Sequence, residues 1–225
     1  DVAPKGIVIE GNTIESDVAD GSARHGVHIA GVPGGAAGSP IDLAQVSIVG
    51  NTITGHGKET SDQLGAVYLK ATSGAVVQGN LISNPSAHGI VFSFDNYGFS
   101  VSGNTIVDAW SNQQAGSVTG ILAKSSYNTG YIGGNTMTLD KRPLGMETVL
   151  KHGVYLNSLT TIDVRLGDNF AQDATVSEVF FGGGSGRAAA FRAEDLYIDD
   201  TRIKVGSGIP AMAGQKGDLY LNTGG

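Results

Sequence analysis

The sequence predicts an all-β solenoid, a parallel β-helix followed by a short C-terminal β module. Three observations carry that prediction. Glycine supplies 35 of the 225 residues without a collagen-like period, charged residues make up only 16%, and one apolar phrase ending in Gly-Asn keeps returning. The first two leave little material for long solvated helices. The third is a structural repeat.

The phrase reads Ile7-Val8-Ile9-Glu10-Gly11-Asn12-Thr13-Ile14 and returns around Asn51, Asn80, Asn104 and Asn135, with a decayed copy ending Gly167-Asp168-Asn169. A second phrase alternates with it: His25-Gly26-Val27-His28-Ile29, then copies starting at Gly65, His88, Thr119 and His152. Each alternates apolar and mixed residues with period two, and none is long enough for a helix. Such short strands bury their apolar faces only by stacking on the next repeat, each strand pairing in parallel with its counterpart about 4.8 Å away. The asparagines are expected at sharp bends as scaffold, taking left-handed dihedrals and bonding up and down the coil. About five to six rungs are expected over Lys5–Phe181, with Ala188–Ile198 as further strand and Thr201–Gly225 as a small hairpin module. The domains are then 1–200 and 201–225.

Composition excludes several functions. A net charge of -7 gives no basic stripe for nucleic acid. The absence of cysteine removes disulfides, thiol catalysis and thiolate metal sites. No run approaches the 18 apolar residues of a membrane span. The chain starts at Asp1, and it is expected to be a piece of something longer. The glycine-rich stretches Gly34–Ser39 and Gly182–Arg187 open no helix and read as loops rather than phosphate cradles.

The Gly-Asn-Thr-Ile rungs resemble the right-handed β-helix of the pectate-lyase-like superfamily, which includes phage tailspikes, polysaccharide lyases, polygalacturonase-type hydrolases and uronate epimerases. The resemblance spans about residues 5 to 200. A second one lies in Asp195-Leu196-Tyr197-Ile198-Asp199, Thr201-Arg202-Ile203 and Lys216-Gly217-Asp218-Leu219-Tyr220-Leu221-Asn222, similar to the short module that closes phage tail and related glycan-active proteins. Together they imply a tailspike-like protein that is extracellular or virion-associated, forms a homotrimer, and binds and depolymerises a bacterial surface or exopolysaccharide by hydrolysis or elimination. The alternative is a non-catalytic glycan-binding or structural β-helix. An outward apolar stripe of Val8, Val49, Val76 and Tyr131 on the second sheet is the expected subunit contact.

In such a coil the second phrase resembles the first sheet, whose outer face is the substrate groove. Parity turns His28 and Ala30 outward, then Tyr68 with Lys70, Val91 with Ser93, Leu122 with Lys124, and Tyr155 with Asn157. The expected glycan contacts are His28, Tyr68, Ser93, Trp110 and Tyr155, the aromatics stacking on sugar rings. Hydrolysis needs two carboxyl groups. None lies on this face, so the pair must come from loops or a neighbouring subunit; Asp95 and Asp108, each with an aromatic neighbour in its loop, are the candidate acid and base, and Glu59, Asp62 and Glu147 are further loop acids. Elimination needs a base and a cation, for which Lys70, Lys124, His28 and Tyr155 are the right types; Lys70 and Lys124 are the catalytic candidates, one of them taking the proton. His25, His88 and His152 form a column at the sheet entry, on rungs too far apart to share a metal. They are expected to make corner hydrogen bonds, and no cofactor or metal is called for.

Overall fold

The computed structural model describes residues 4–16, 25–32, 43–55, 65–85, 87–111, 118–124, 128–138, 148–158, 162–172, 177–183, 196–198, 201–206 and 219–222. The chain divides into two compact units, Asp1–Phe191 and Arg192–Gly225. The first is a solenoid of three sheets.

The first sheet holds β3 (Val27–Ala30), β6 (Gly65–Lys70), β9 (His88–Ser93), β13 (Val118–Lys124), β16 (Thr148–Ser158) and β19 (Ser177–Gly183), all paired in parallel along the coil. The second holds β1 (Ile7–Glu10), β4 (Val46–Val49), β7 (Val76–Gln78), β10 (Phe99–Ser102), β14 (Asn128–Gly133) and β17 (Ile162–Leu166). The third holds β2 (Thr13–Glu15), β5 (Thr52–Thr54), β8 (Leu81–Ser83), β11 (Thr105–Val107), β15 (Thr136–Thr138) and β18 (Phe170–Ala171). The chain visits second, third and first sheet in turn, which makes six rungs among the described residues. The expected fold class is the observed one.

One core runs up the inside. Val46, Ile48, Ile53, Val67, Leu69, Ile82, Ile90, Phe92, Phe99, Ile106, Ile121 and Met137 all belong to it, and the rings of Phe92 and Phe99 stack with centroids 4.1 Å apart. These residues occupy alternate strand positions, so the period-two pattern of each phrase converts directly into inward and outward faces.

The corners between second and third sheet explain the Gly-Asn signature, with one correction. Glycine, not asparagine, takes the left-handed conformation: Gly11, Gly50, Gly79, Gly103 and Gly134 have φ between 61° and 66°. At Gly50 and Gly79 a Cβ would meet nothing within 4 Å, so what glycine supplies there is conformational freedom. The asparagine that follows turns its amide into the corner. Asn51 Oδ1 accepts from the backbone N–H and Nδ2 of Asn12 at 2.9 and 3.1 Å, Asn80 Oδ1 likewise from Asn51, and Asn104 from Asn80. Asn135 and Asn169 continue the ladder.

Three further expectations are corrected. The outward stripe on the second sheet is not continuous, because register interleaves Val8, Ser47, Val76, Ser100 and Tyr131 in one row and places Val49 in the other. Tyr131, moreover, lies over Gly133 and Gly167, where any Cβ would strike its ring. The stretches between third and first sheet are not all loop. β12 (Trp110–Ser111) pairs antiparallel with Thr148 and Val149 at the start of β16. Finally, the C-terminal unit is not a simple hairpin within Thr201–Gly225. β20 (Leu196–Ile198), expected to continue the solenoid, pairs antiparallel with β21 (Thr201–Gly206), and β22 (Leu219–Asn222) joins β21 in parallel.

Candidate functional site

Register builds the outer face of the first sheet from two rows. One runs His28, Tyr68, Val91, Leu122, Tyr155; the other runs Ala30, Lys70, Ser93, Lys124, Asn157. These are the outward pairs the sequence predicted. Outward does not mean solvent-exposed, however. Tyr68, Val91 and Leu122 form a second apolar cluster with Tyr155 packed against it. Ser93 is fully buried, and its Oγ has no hydrogen-bond partner among the described residues. The middle of the expected groove is therefore a packed surface, and Tyr68 and Ser93 are not open to solvent.

Among the described residues the face is open at β3, where His28 and Ala30 are exposed, and on β6 only Lys70 is part-exposed beside them. The His25 and His28 rings lie 4.9 Å apart, and Tyr68 lies 4.8 Å from the first and 5.1 Å, edge-on, from the second. His25 Nδ1 sits 2.9 Å from the carbonyl of Gly65, the corner hydrogen bond expected of that column. His28 itself is exposed. Partial desolvation first, and the positive charge of Lys70 second, lower its pKa from 6.5. The neutral imidazole, able to accept a proton, is thus the prevailing form at neutral pH. Lys70 also reaches over the exposed ring of Phe94, 5.4 Å from its centroid.

The two acid candidates are not brought together. Asp95 follows β9 at the exit of the first sheet, and Asp108 precedes β12 beyond its entry. Trp110 pairs with Val149, which stands eight residues from Asn157 on β16; Asn157 in turn is in register with Lys124 and Lys124 with Ser93. At about 3.3 Å per residue those walls are roughly 26 Å apart, far beyond the roughly 5 to 9.5 Å of a glycosidase carboxyl pair. Both aspartates are also nearly buried and left-handed, with φ of 57° and 56°, as turn formers are. Asp95 and Asp108 as a hydrolytic pair are therefore set aside. The Trp110 side chain, Glu59, Asp62 and Glu147 lie outside the described residues, as do the loops Gly34–Ser39 and Gly184–Arg187.

Sequence reading missed a second polar ladder at the exit of the first sheet. Thr72 Oγ1 donates to Asn96 Oδ1 at 2.8 Å, Asn96 Nδ2 to Asn128 Oδ1 at 2.8 Å, and Asn128 Nδ2 to the Lys124 carbonyl at 2.7 Å. It braces the segment carrying Phe94 and Asp95 against its neighbours.

A family described as right-handed β-helix region matches residues 2–170. The chain belongs to that family. No curated protein and no solved structure matches it. Membership in this β-helix family fits a carbohydrate-related scaffold, on which chemistry is set by the residues of the outer face.

One titration follows from the geometry. By NMR, the His28 imidazole is expected to titrate below 6.5, and Lys70→Met is expected to raise its midpoint part of the way back, since burial remains. A folded pKa lowered in this way favours the fold above about pH 6.5, and the contribution is lost as pH falls through the window below it. A midpoint unmoved by Lys70→Met would separate the two side chains.

Proposed function

We propose that the outer face of the first sheet binds an acidic polysaccharide and that its β3–β6 end cleaves the chain by elimination. The supporting observation is the pairing of His28 with Lys70, a neutral, exposed base beside a cation. In that role Lys70 neutralises the carboxylate of a uronate residue, which acidifies the adjacent C–H. His28 takes that proton, the electron pair forms the new C=C bond, and the glycosidic oxygen on the next carbon departs and is protonated from solvent. Tyr68 supports the His28 ring edge-on. Lys124, two strands further along the row, would hold a second acidic group of the same chain, and Tyr155 would meet its sugar rings. In this reading the protein works outside the cell or on a virion tail, as a tailspike-like homotrimer.

A second reading, a binding face without catalysis, is favoured by the burial of Val91, Ser93 and Leu122 at its centre and by the separation of the aspartates. Product analysis on a panel of bacterial capsular and exopolysaccharides distinguishes them. Elimination yields an absorbing unsaturated product, and His28→Asn and Lys70→Met each reduce its rate at least tenfold, about 1.4 kcal/mol of barrier. Retention of polysaccharide without products supports the second reading. New reducing ends without unsaturation would refute the eliminative assignment.

A further inference from the structure

We infer that the β1–β2–β3 end of the solenoid is a docking face for one more parallel rung, carrying its own Gly-Asn corner and leading into β1 through Pro4–Gly6. Four observations converge on this, and none depends on the proposed glycan chemistry.

The first is topology. β1, β2 and β3 are the edge strands of all three sheets and lie at the same end of the coil. Among the described residues each edge strand has a ladder partner on one side only, and its other side is a template for another strand. The second is the core. Ile7, Ile9, Ile14 and Ile29 point inward yet are only partly buried, whereas their register partners Val46, Ile48, Ile53 and Leu69 are buried. The end rung thus presents the apolar cross-section of the coil.

The third is the polarity of the asparagine ladder. Every Oδ1 from Asn51 to Asn169 accepts from the backbone N–H and the amide of the asparagine one rung before it. Asn51, Asn80, Asn104, Asn135 and Asn169 also reach back to a carbonyl of the preceding rung, at Ile9, Ile48, Val77, Val101 and Ile132. Asn12 has neither connection among the described residues. No described residue donates to its Oδ1, and in every other rung the donors come from an asparagine after a left-handed glycine.

The fourth observation fixes how the occupant is connected. Gly6 has φ +65°, and Gly74 and Gly98 have φ +63°. Gly74 and Gly98 each lie between a first-sheet strand and the second-sheet strand that follows. Gly6 stands immediately before β1 as Gly98 stands immediately before β10. The chain therefore enters β1 through the corner it uses elsewhere to leave the first sheet, and the rung that fits is joined in sequence through that corner.

The test grafts a copy of the third rung, the sequence of Ala75–Tyr97, directly before Gly6 in the full chain. Amide hydrogen exchange of Ile9, Gly11 and Ile14 is the readout, with thermal midpoint beside it. We expect exchange in β1 and β2 to slow at least tenfold and the midpoint to rise. The same graft carrying Asn80→Ala in the copied rung should lose most of that protection, because it restores the apolar cover without the ladder. A folded graft that leaves β1 and β2 exchange unchanged overturns the inference, as does equal protection from both grafts, which would reduce it to nonspecific cover. A graft that does not fold against the coil leaves exchange at the ungrafted value and counts as the first of these.

Discussion

Replacing Asn104 by alanine is expected to cost about 3–5 kcal/mol, a large share of a single domain's stability. The side chain sits at the middle of the inner ladder, almost wholly buried. Its Oδ1 accepts from the Asn80 backbone and amide at 3.0 and 2.9 Å, and its Nδ2 donates to the Val77 carbonyl and to Asn135 Oδ1, both at 2.9 Å. Truncation strands two donors, the Asn80 backbone N–H and one hydrogen of its amide, and takes one donor from the Val77 carbonyl and from Asn135 Oδ1, which keeps the Asn104 backbone N–H. Each buried group left without its partner costs roughly 1–3 kcal/mol. The total stays below the plain sum because Asn80 and Asn135 can relax toward one another. Asn104→Asp is expected to be worse at neutral pH. The carboxylate still accepts from Asn80 but faces Asn135 Oδ1 and the Val77 carbonyl with no hydrogen to offer. Its pKa must rise in the fold, so stability is lost as pH increases through the window above about 3.9. Urea midpoints for both variants at pH 4 and pH 7 check this: the aspartate variant should lose more at pH 7 and the alanine variant should lose equally at both. An alanine variant within about 1 kcal/mol of the parent would show that the ladder contributes no net stability.

The fold was legible because its two determinants are local. Period-two alternation assigns faces, and a glycine before an asparagine marks a corner whose conformation only glycine adopts cheaply. The second ladder was hidden by spacing. Thr72 comes two residues after the end of its strand at Lys70, Asn96 three after Ser93, and Asn128 four after Lys124, so no fixed phrase records it. β12 was hidden for a related reason: Trp110–Ser111 finds its antiparallel partner in Thr148–Val149, in the following rung. In the candidate site, strand parity placed His28, Tyr68, Lys70, Ser93 and Lys124 in their correct rows. It could not show that Val91 and Leu122 draw Tyr68 into an apolar cluster, since burial on the outer face depends on packing between rungs. Nor could it show the distance between Asp95 and Asp108, which belong to different corners of the coil.

The glycine of the second phrase has a different job from the glycine of the first, and substitution should expose the difference. Gly120 in β13 lies in register with Gly89 and Gly153, in a column that closes the first sheet against the third. A Cβ at Gly120 would stand 2.5 Å from Met137 Sδ and 2.8 Å from the Gly153 carbonyl; one at Gly89 would stand 2.8 Å from Ile106 Cδ1 and 2.7 Å from the Gly120 carbonyl. Met137 is flexible and can move. The carbonyl of Gly153 belongs to the backbone of the next strand and cannot move without parting the pair. Gly120→Ala is therefore expected to cost about 2–3 kcal/mol, and Gly120→Val more, because overpacking forces either the Met137 side chain off its rotamer or the two strands apart. Gly79→Ala meets no atoms and should cost only the left-handed strain, about 1 kcal/mol. Combining Gly120→Ala with Met137→Ala separates the two obstacles. If the sulfur is the main obstruction, the double variant is less destabilised than the two single losses together; if the Gly153 carbonyl is, the losses add. We expect partial, not full, relief, read as a coupling of about 1 kcal/mol in urea denaturation. Strict additivity would place the whole constraint in the backbone of β16, and would make Gly120 a condition of pairing with that strand, whereas β6 pairs with its neighbours while carrying Ala66 in the same column.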